Sequence, residues 1–131
     1  MNTRTHPTPA SSRVWLLARQ EDLRQQIDAA QAAQQSSAAA GGAEVTDLKD
    51  QAERSQRMAL QNTEMQRDID ELAALQHALA RLDDGSYGIC TDCTQPIGAE
   101  RLAAAPAAMR CLGCQTRFEA QQERLGVGPR P

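Results

Sequence analysis

All four cysteines of the chain fall into one pattern: Cys90-x-x-Cys93, seventeen intervening residues, and Cys111-x-x-Cys114. Two C-x-x-C pairs at such a separation are typical of a structural zinc site. Each short loop brings two thiolates to one side of an ion, and the longer segment brings the second pair round to complete a tetrahedron. Because four protein ligands leave no open coordination position, the pattern predicts a zinc ion that stabilises the fold and does not activate water.

The alternative for the same cysteines is two disulfide bonds. Disulfides persist in oxidising compartments, and the amino-terminal segment Met1–Pro7 shows no apolar signal segment. We therefore favour structural zinc and expect a cytoplasmic protein. Gly88 and Gly113 accompany the two cysteine pairs, and we expect a positive φ at both because tight turns around sulfur ligands often need it.

The composition favours helices over a compact globule. Aromatic residues make up 2% of the chain, whereas the helix formers Ala, Gln, Leu and Arg are abundant. No segment approaches the roughly 20 apolar residues that span a bilayer. Duplex DNA binding relies on a surplus of cationic contacts, but the chain has 14 Lys and Arg against 17 Asp and Glu. We expect a protein partner, no sequence-specific DNA binding and no membrane association.

Two helical patterns separated by glycines predict the main elements. The first apolar stripe consists of Leu16, Leu23, Ile27 and Ala30. It fades at Ser36, and the strongest helix breaker follows at Gly41-Gly42. A second helix should run from Asp47 to Leu82, with Gly85 as a left-handed cap. Its mostly apolar stripe consists of Met58, Asn62, Met65, Ile69, Leu72, Leu75, Leu79 and Leu82.

These patterns predict an all-α fold: an antiparallel coiled-coil hairpin with a small four-cysteine zinc-finger module and a C-terminal helix. We expect a disordered tail over residues 1–12 and the hairpin over 13–84, with its tip near 36–50. The zinc-finger module and C-terminal helix should cover 85–125, and a second tail 126–131. Alternatively, both helices form the core of another bundle. Gln20 and Asn62 at seam positions either fix the register of the hairpin or face solvent.

Two aspartates mark the start of the second helix. Asp47 and Asp50 are three residues apart, so both carboxylates project from nearly one face of the helix. Local physics offers a simpler explanation, because Asp47 is a good N-cap and Asp50 sits favourably against the helix dipole. On these grounds alone capping is the stronger interpretation.

The segment around the cysteines resembles the DksA/TraR zinc-finger family. The resemblance is carried by the lead-in D-G-x-Y-G-x-C at residues 84–90, the loop P-I-G-x-x-R-L at 96–102 and both C-x-x-C pairs, in that order. DksA-like members also carry Asp-x-x-Asp-x-Ala at the tip of a coiled coil, and Asp47, Asp50 and Ala52 match it. The resemblance thus implies an effector role for the two aspartates, with which capping is compatible.

The resemblance implies a transcription regulator and not an enzyme. DksA-like proteins bind RNA polymerase and insert the coiled coil into its secondary channel, where the acidic tip modulates initiation. They act in the stringent response with ppGpp. By ungapped counting, the basic positions of that site fall on Arg67, Ala74 and Gln115, of which only Arg67 is basic. The sequence therefore disfavours cooperation with ppGpp through this surface. We expect a monomer.

Two other functions are compatible with the same residues. One is a zinc-finger adaptor of this family that binds a different protein, with an incidental tip motif. The other is a transcript-cleavage factor whose two carboxylates lend a second Mg²⁺ to the polymerase active site. A free-standing enzyme is disfavoured, because the sequence offers no open metal position, no phosphate-cradling glycine motif and no nucleophile–base pair.

Overall fold

The computed structural model describes residues 8–40 and 48–126, except for the side chains of 37–40. Within these ranges the chain forms four helices: α1 (Pro9–Ala40), α2 (Leu48–Asp84), α3 (Ala99–Ala104) and α4 (Leu112–Arg124). An isolated antiparallel bridge between Ile89 and Pro96 is the only β-structure there. The predicted all-α class is therefore confirmed. No helix of the described ranges combines the length and apolarity needed to cross a membrane.

Helix α1 begins before the predicted boundary at residue 13. The Thr8 hydroxyl accepts a hydrogen bond from the Ser11 N–H (3.1 Å), and the Ser11 hydroxyl accepts one from the Thr8 N–H (2.9 Å). This reciprocal capping satisfies N–H groups that a helix start leaves unpaired, and Pro9 suits the first helical position because it has no N–H. Residues 9–12 are therefore helical rather than part of the predicted tail, and Ser12 is buried. Residues 1–7 lie outside the described residues.

The other end of α1 also extends further than its apolar stripe indicates. The helix continues to Ala40, beyond Ser36, where the predicted pattern fades. Alanine has the highest helix propensity, so the run at residues 38–40 favours continuation of the helix. The predicted turn at Gly41-Gly42 lies outside the described residues, as does Asp47.

The C-terminus of α2 is closed by the glycine cap that the sequence predicts. Gly85 has a φ of +82°. The N–H groups of Ser86 and Tyr87 donate to the Arg81 carbonyl at 2.9 and 3.1 Å, and the bond from Ser86 has the Schellman pattern. Asp84 accepts hydrogen bonds from the hydroxyl and the N–H of Ser86, which lower the pKa of its carboxyl below the usual value.

The described part of the chain divides into two compact units, of which the first comprises residues 8–19 and 74–126. The zinc-finger segment thus shares a unit with the beginning of α1 and the end of α2, whereas the sequence placed a boundary at residues 84–85. Leu16, Leu75 and Ala78 are buried in this unit, with at most 2% of their surface exposed. Arg13 pairs with Asp83 at 2.7 Å, so the beginning of α1 lies beside the end of α2.

The second unit comprises the described residues between 20 and 73, and most of these are exposed. Leu23, Ile27 and Gln20 of α1 are buried, but every residue of α2 from 48 to 64 is exposed. The Gln34 amide donates to the Asn62 side-chain carbonyl at 2.9 Å, so a polar pair joins α1 and α2. Asn62 thus contacts the partner helix as well as solvent, as expected of a polar residue that sets register.

Candidate metal centre

The first C-x-x-C pair lies on a tight backbone hairpin. The Cys90 N–H donates to the Gln95 carbonyl at 2.8 Å, and the Thr94 N–H donates to the Cys90 carbonyl at 3.0 Å. The Ile97 N–H adds a bond to the Gly88 carbonyl at 2.8 Å. The reversal places Gly88 and Thr94 in the left-handed region, with φ of +84° and +63°. The expected positive φ at Gly88 is confirmed, while a β-branched residue at such a φ is strained.

The second pair lies at the start of α4. Cys111 is the N-cap residue, with φ −65° and ψ 164°, and Cys114 lies in the first turn. Gly113 is inside this helix and does not have a positive φ. The expectation of a positive φ at Gly113 is therefore wrong: ordinary helical geometry turns this pair.

The two pairs converge on one point. The Thr91 N–H donates to the Met109 carbonyl at 2.9 Å, which ties the first loop to the segment that precedes the second. The four Sγ atoms all lie within 4.8 Å of one another. The Sγ atoms of Cys93 and Cys111 are 3.8 Å apart. A tetrahedral zinc ion with Zn–S distances of about 2.3 Å sets its sulfurs about 3.8 Å apart. The four free thiols therefore fit structural zinc.

The surroundings of Cys90 and Cys114 shift the pKa values of the two thiols in opposite directions. The N–H of Cys93, with smaller contributions from Cys111 and Asp92, lowers the pKa of Cys90 to about 6. The neighbouring Cys111 sulfur, together with burial, raises the pKa of Cys114 to about 12. Without metal, Cys90 thus loses its proton readily near neutral pH, whereas Cys114 keeps its proton.

Exposure differs around the site as well. Cys90 and Cys114 are buried with Ile97 in a small apolar cluster, against which Leu102 and Ala108 pack. Cys93 is exposed and Cys111 is half-buried. The apolar side therefore excludes water from two sulfurs, while the opposite side faces solvent.

Three side chains donate to backbone carbonyls around the centre and were not assigned a role from the sequence. Arg81 donates to the carbonyls of Ser86 (3.0 Å) and Ile89. The Tyr87 hydroxyl donates to the Pro106 carbonyl at 2.7 Å, and Arg101 Nε donates to the Arg110 carbonyl at 2.9 Å. Tyr87 and Arg101 belong to the motifs that carry the family resemblance, which was the only available signal. The long segment between the cysteine pairs is held by these bonds and by α3, which the sequence did not predict.

The other predicted site residues lie in the second unit. Asp50 is in the first turn of α2, with Ala52 shortly after it, and both are exposed. Arg67 is also exposed, further along the same helix. The structure thus brings the four cysteines together, while the acidic pair stays a prediction because Asp47 lies outside the described residues.

Comparison with known proteins agrees with the zinc site. Residues 85–120 match the model of the prokaryotic dksA/traR C4-type zinc finger. A Caulobacter vibrioides protein named RNA polymerase-binding transcription factor DksA is 37% identical over 79 residues, which cover 60% of this chain and 55% of that protein. A protein of the same name from Haemophilus influenzae is 30% identical over 87 residues, covering 63% and 59%. The matches thus span less than two thirds of these relatives' length.

Similarity of structure extends further along the chain. The solved structure of transcription factor DksA2 from Pseudomonas aeruginosa is similar with a TM-score of 0.70 and 26% identity. The match covers 88% of this chain and 85% of that one. The segment from residue 85 to 120 thus resembles a zinc finger of the dksA/traR C4 type, and its four sulfurs lie at zinc-binding distances.

Proposed function

We propose that this protein is a DksA-like transcription regulator that binds RNA polymerase through its secondary channel and modulates initiation. The observation that carries the proposal is the structural match to transcription factor DksA2 over 88% of the chain. The relatives' name, RNA polymerase-binding transcription factor, indicates the partner. Binding, and not catalysis of its own, is the proposed activity, and a closed four-thiolate site agrees with that because it leaves no position for substrate.

The proposed effector is the start of α2, with Asp47, Asp50 and Ala52. Support comes from the match to Asp-x-x-Asp-x-Ala and from the exposure of Asp50 and Ala52. Every residue of α2 from 48 to 64 is exposed, so a partner can approach this part of the helix closely. Carboxylates placed there would act on the polymerase by their charge.

Transcription in vitro from a ribosomal RNA promoter tests the proposal. Wild type is compared with Asp47→Asn/Asp50→Asn, with and without ppGpp, and polymerase binding is measured separately for each protein. We expect the double variant to bind polymerase but to lose the effect on transcription. Because Arg67 alone retains a basic side chain among the positions compared with the ppGpp site, we expect ppGpp to add little.

Asp22→Asn/Asp28→Asn is a matched control, because it removes two exposed carboxylates from α1 and changes the net charge equally. It should act like wild type. Equal loss of the transcriptional effect in both double variants would show that the effect depends on net charge alone. Full activity of Asp47→Asn/Asp50→Asn would show that these residues only cap the helix. Failure of wild type to bind polymerase would support the adaptor. Shortened transcripts in stalled elongation complexes would support the cleavage factor.

A further inference from the structure

Arg110 contacts both halves of the metal centre. Its Nε donates to Asp92 Oδ2 at 2.9 Å, and its guanidinium carbon lies 4.0 Å from the centroid of the Phe118 ring. The Arg110 side chain is 20% exposed. One cation therefore makes both an ion pair and a cation–π contact.

The two partners of Arg110, Asp92 and Phe118, lie in different parts of the metal centre. Asp92 lies between Cys90 and Cys93, so it is part of the first ligand loop. Phe118 is on α4 four residues after Cys114, which places it on the same helical face as that ligand. Arg110 itself directly precedes Cys111. Its side chain thus joins the first loop to the helix that carries the second pair.

Two further bonds involve the segments that Arg110 joins. The Thr91–Met109 backbone bond joins the same segments, and Arg101 holds the Arg110 carbonyl at 2.9 Å. Arg101 therefore holds the Arg110 backbone, while the Arg110 side chain reaches Asp92 in the first ligand loop. Residues that make such contacts restrict the distance between the loops before any metal is bound. Less conformational entropy is therefore lost when the metal binds.

We propose that Arg110 is a positioning residue for zinc: it holds the two cysteine pairs at ligand distance and so raises zinc affinity and slows zinc release. It donates no bond to the metal. Loss of residues that orient metal ligands typically lowers metal affinity about 10–100-fold. We expect Arg110→Ala to lower zinc affinity at least about tenfold and to speed zinc transfer to a chelator correspondingly.

The chain contains a matched control. Arg13 and Asp83 form an arginine–aspartate pair at 2.7 Å in the same unit, but their side chains are 43% and 68% exposed and neither neighbours a cysteine. Exposed pairs of this kind contribute little to stability. Arg13→Ala removes the same charge and the same kind of ion pair, and it should leave zinc affinity unchanged.

The test uses the full chain loaded with zinc. Competition with a chromophoric chelator gives the affinity, stopped-flow transfer gives the release rate, and circular dichroism at saturating zinc gives the helix content. Cobalt substitution reports by its thiolate charge-transfer bands whether four sulfurs bind. We expect Arg110→Ala to retain the helix content and the four-thiolate cobalt spectrum while binding zinc more weakly. Phe118→Leu and Asp92→Asn should each show part of the loss of zinc affinity. Asp92→Asn should lower the zinc affinity little further when it is added to Arg110→Ala.

Wild-type affinity in Arg110→Ala would overturn the proposal, as would an equal loss in Arg13→Ala. If Arg110→Ala loses helix content at saturating zinc, Arg110 has a general structural role and the proposal is overturned, with one exception. The exception is that Arg110→Lys, which keeps the charge but lacks the planar fork, folds normally. In that case Arg110→Lys decides: reduced zinc affinity supports the proposal, and wild-type affinity contradicts it. None of these measurements depends on the proposed polymerase binding.

Discussion

Replacing Gly88 by alanine should destabilise the zinc finger for two separable reasons. The first is backbone strain, since an L-residue in the left-handed region costs about 1–2 kcal/mol and Gly88 has a φ of +84°. The second is contact, because a Cβ at Gly88 would lie 3.3 Å from Leu102 Cδ1. Leu102 packs against the cluster of Cys90, Ile97 and Cys114 and must yield by a few tenths of an ångström, which costs about 0.5–1.5 kcal/mol if its side chain turns about 30° off its rotamer.

Two other glycines separate these contributions. Gly85 has nearly the same φ, +82°, but a Cβ there would meet nothing within 4 Å, so Gly85→Ala should cost about 1–2 kcal/mol. Gly113 lies within α4, has no positive φ and is equally open. Gly113→Ala should stabilise the protein by up to about 1 kcal/mol through helix propensity. Gly88→Ala should therefore cost about 1 kcal/mol more than Gly85→Ala.

Urea unfolding at saturating zinc, followed by circular dichroism, measures these differences in the free energy of unfolding. The single tryptophan adds a local probe, because Trp15 and Leu102 line one groove of about 350 Å³ in the first unit. Its fluorescence should change in Gly88→Ala and not in Gly85→Ala. Equal costs for the two variants would refute the reasoning about Leu102. In a Leu102→Ala background the excess cost of Gly88→Ala should disappear, and its persistence would also contradict the argument.

Three further predictions concern the metal and the helices. Cys111→Ser should abolish tight zinc binding and reduce helix content, because α4 starts at this residue and site formation is coupled to folding; metal analysis and circular dichroism check both. At neutral pH zinc binding should release the proton of Cys114 but not that of Cys90, which is already ionised above a pKa of about 6. Zinc affinity should consequently fall more steeply with acid below about pH 6 than above it, and calorimetry in buffers of different ionisation enthalpy measures the protons released. Leu75→Ala should lower the free energy of unfolding by about 2–5 kcal/mol, whereas Met58→Ala, at a site 57% exposed, should change it by less than about 0.5 kcal/mol in urea titrations.

The parts of the structure that the sequence predicts correctly depend on short-range rules. Two C-x-x-C pairs specify a common ligand because the chemistry of zinc requires all four thiolates together. Gly85 ends α2 because few other residues adopt its φ without strain. The apolar stripes predict two helices, since a repeat at helical spacing has few other uses.

The parts that differ depend on local competition or on contacts between distant residues. The start of α1 is set by reciprocal hydrogen bonds between Thr8 and Ser11, which outweigh the lack of an apolar pattern there. Met58 and Leu75 occupy the same predicted stripe, yet only Leu75 is buried, because burial depends on which partner residues cover each turn. Arg110 and Asp92 are 18 residues apart and lie in no common helix or strand, so no spacing in the sequence indicates their contact.

Because the four sulfurs are unequally exposed, the zinc centre has one accessible side and one covered side. Cys93 is exposed, whereas Cys90 and Cys114 are buried beneath Ile97 and Leu102. A competing thiol or chelator can therefore approach the ligand set from the Cys93 side, and replacement of the ligands becomes an ordered sequence that starts there. Two chains with equal zinc affinity can then differ widely in how fast they exchange the metal, because the covered ligands are reached last.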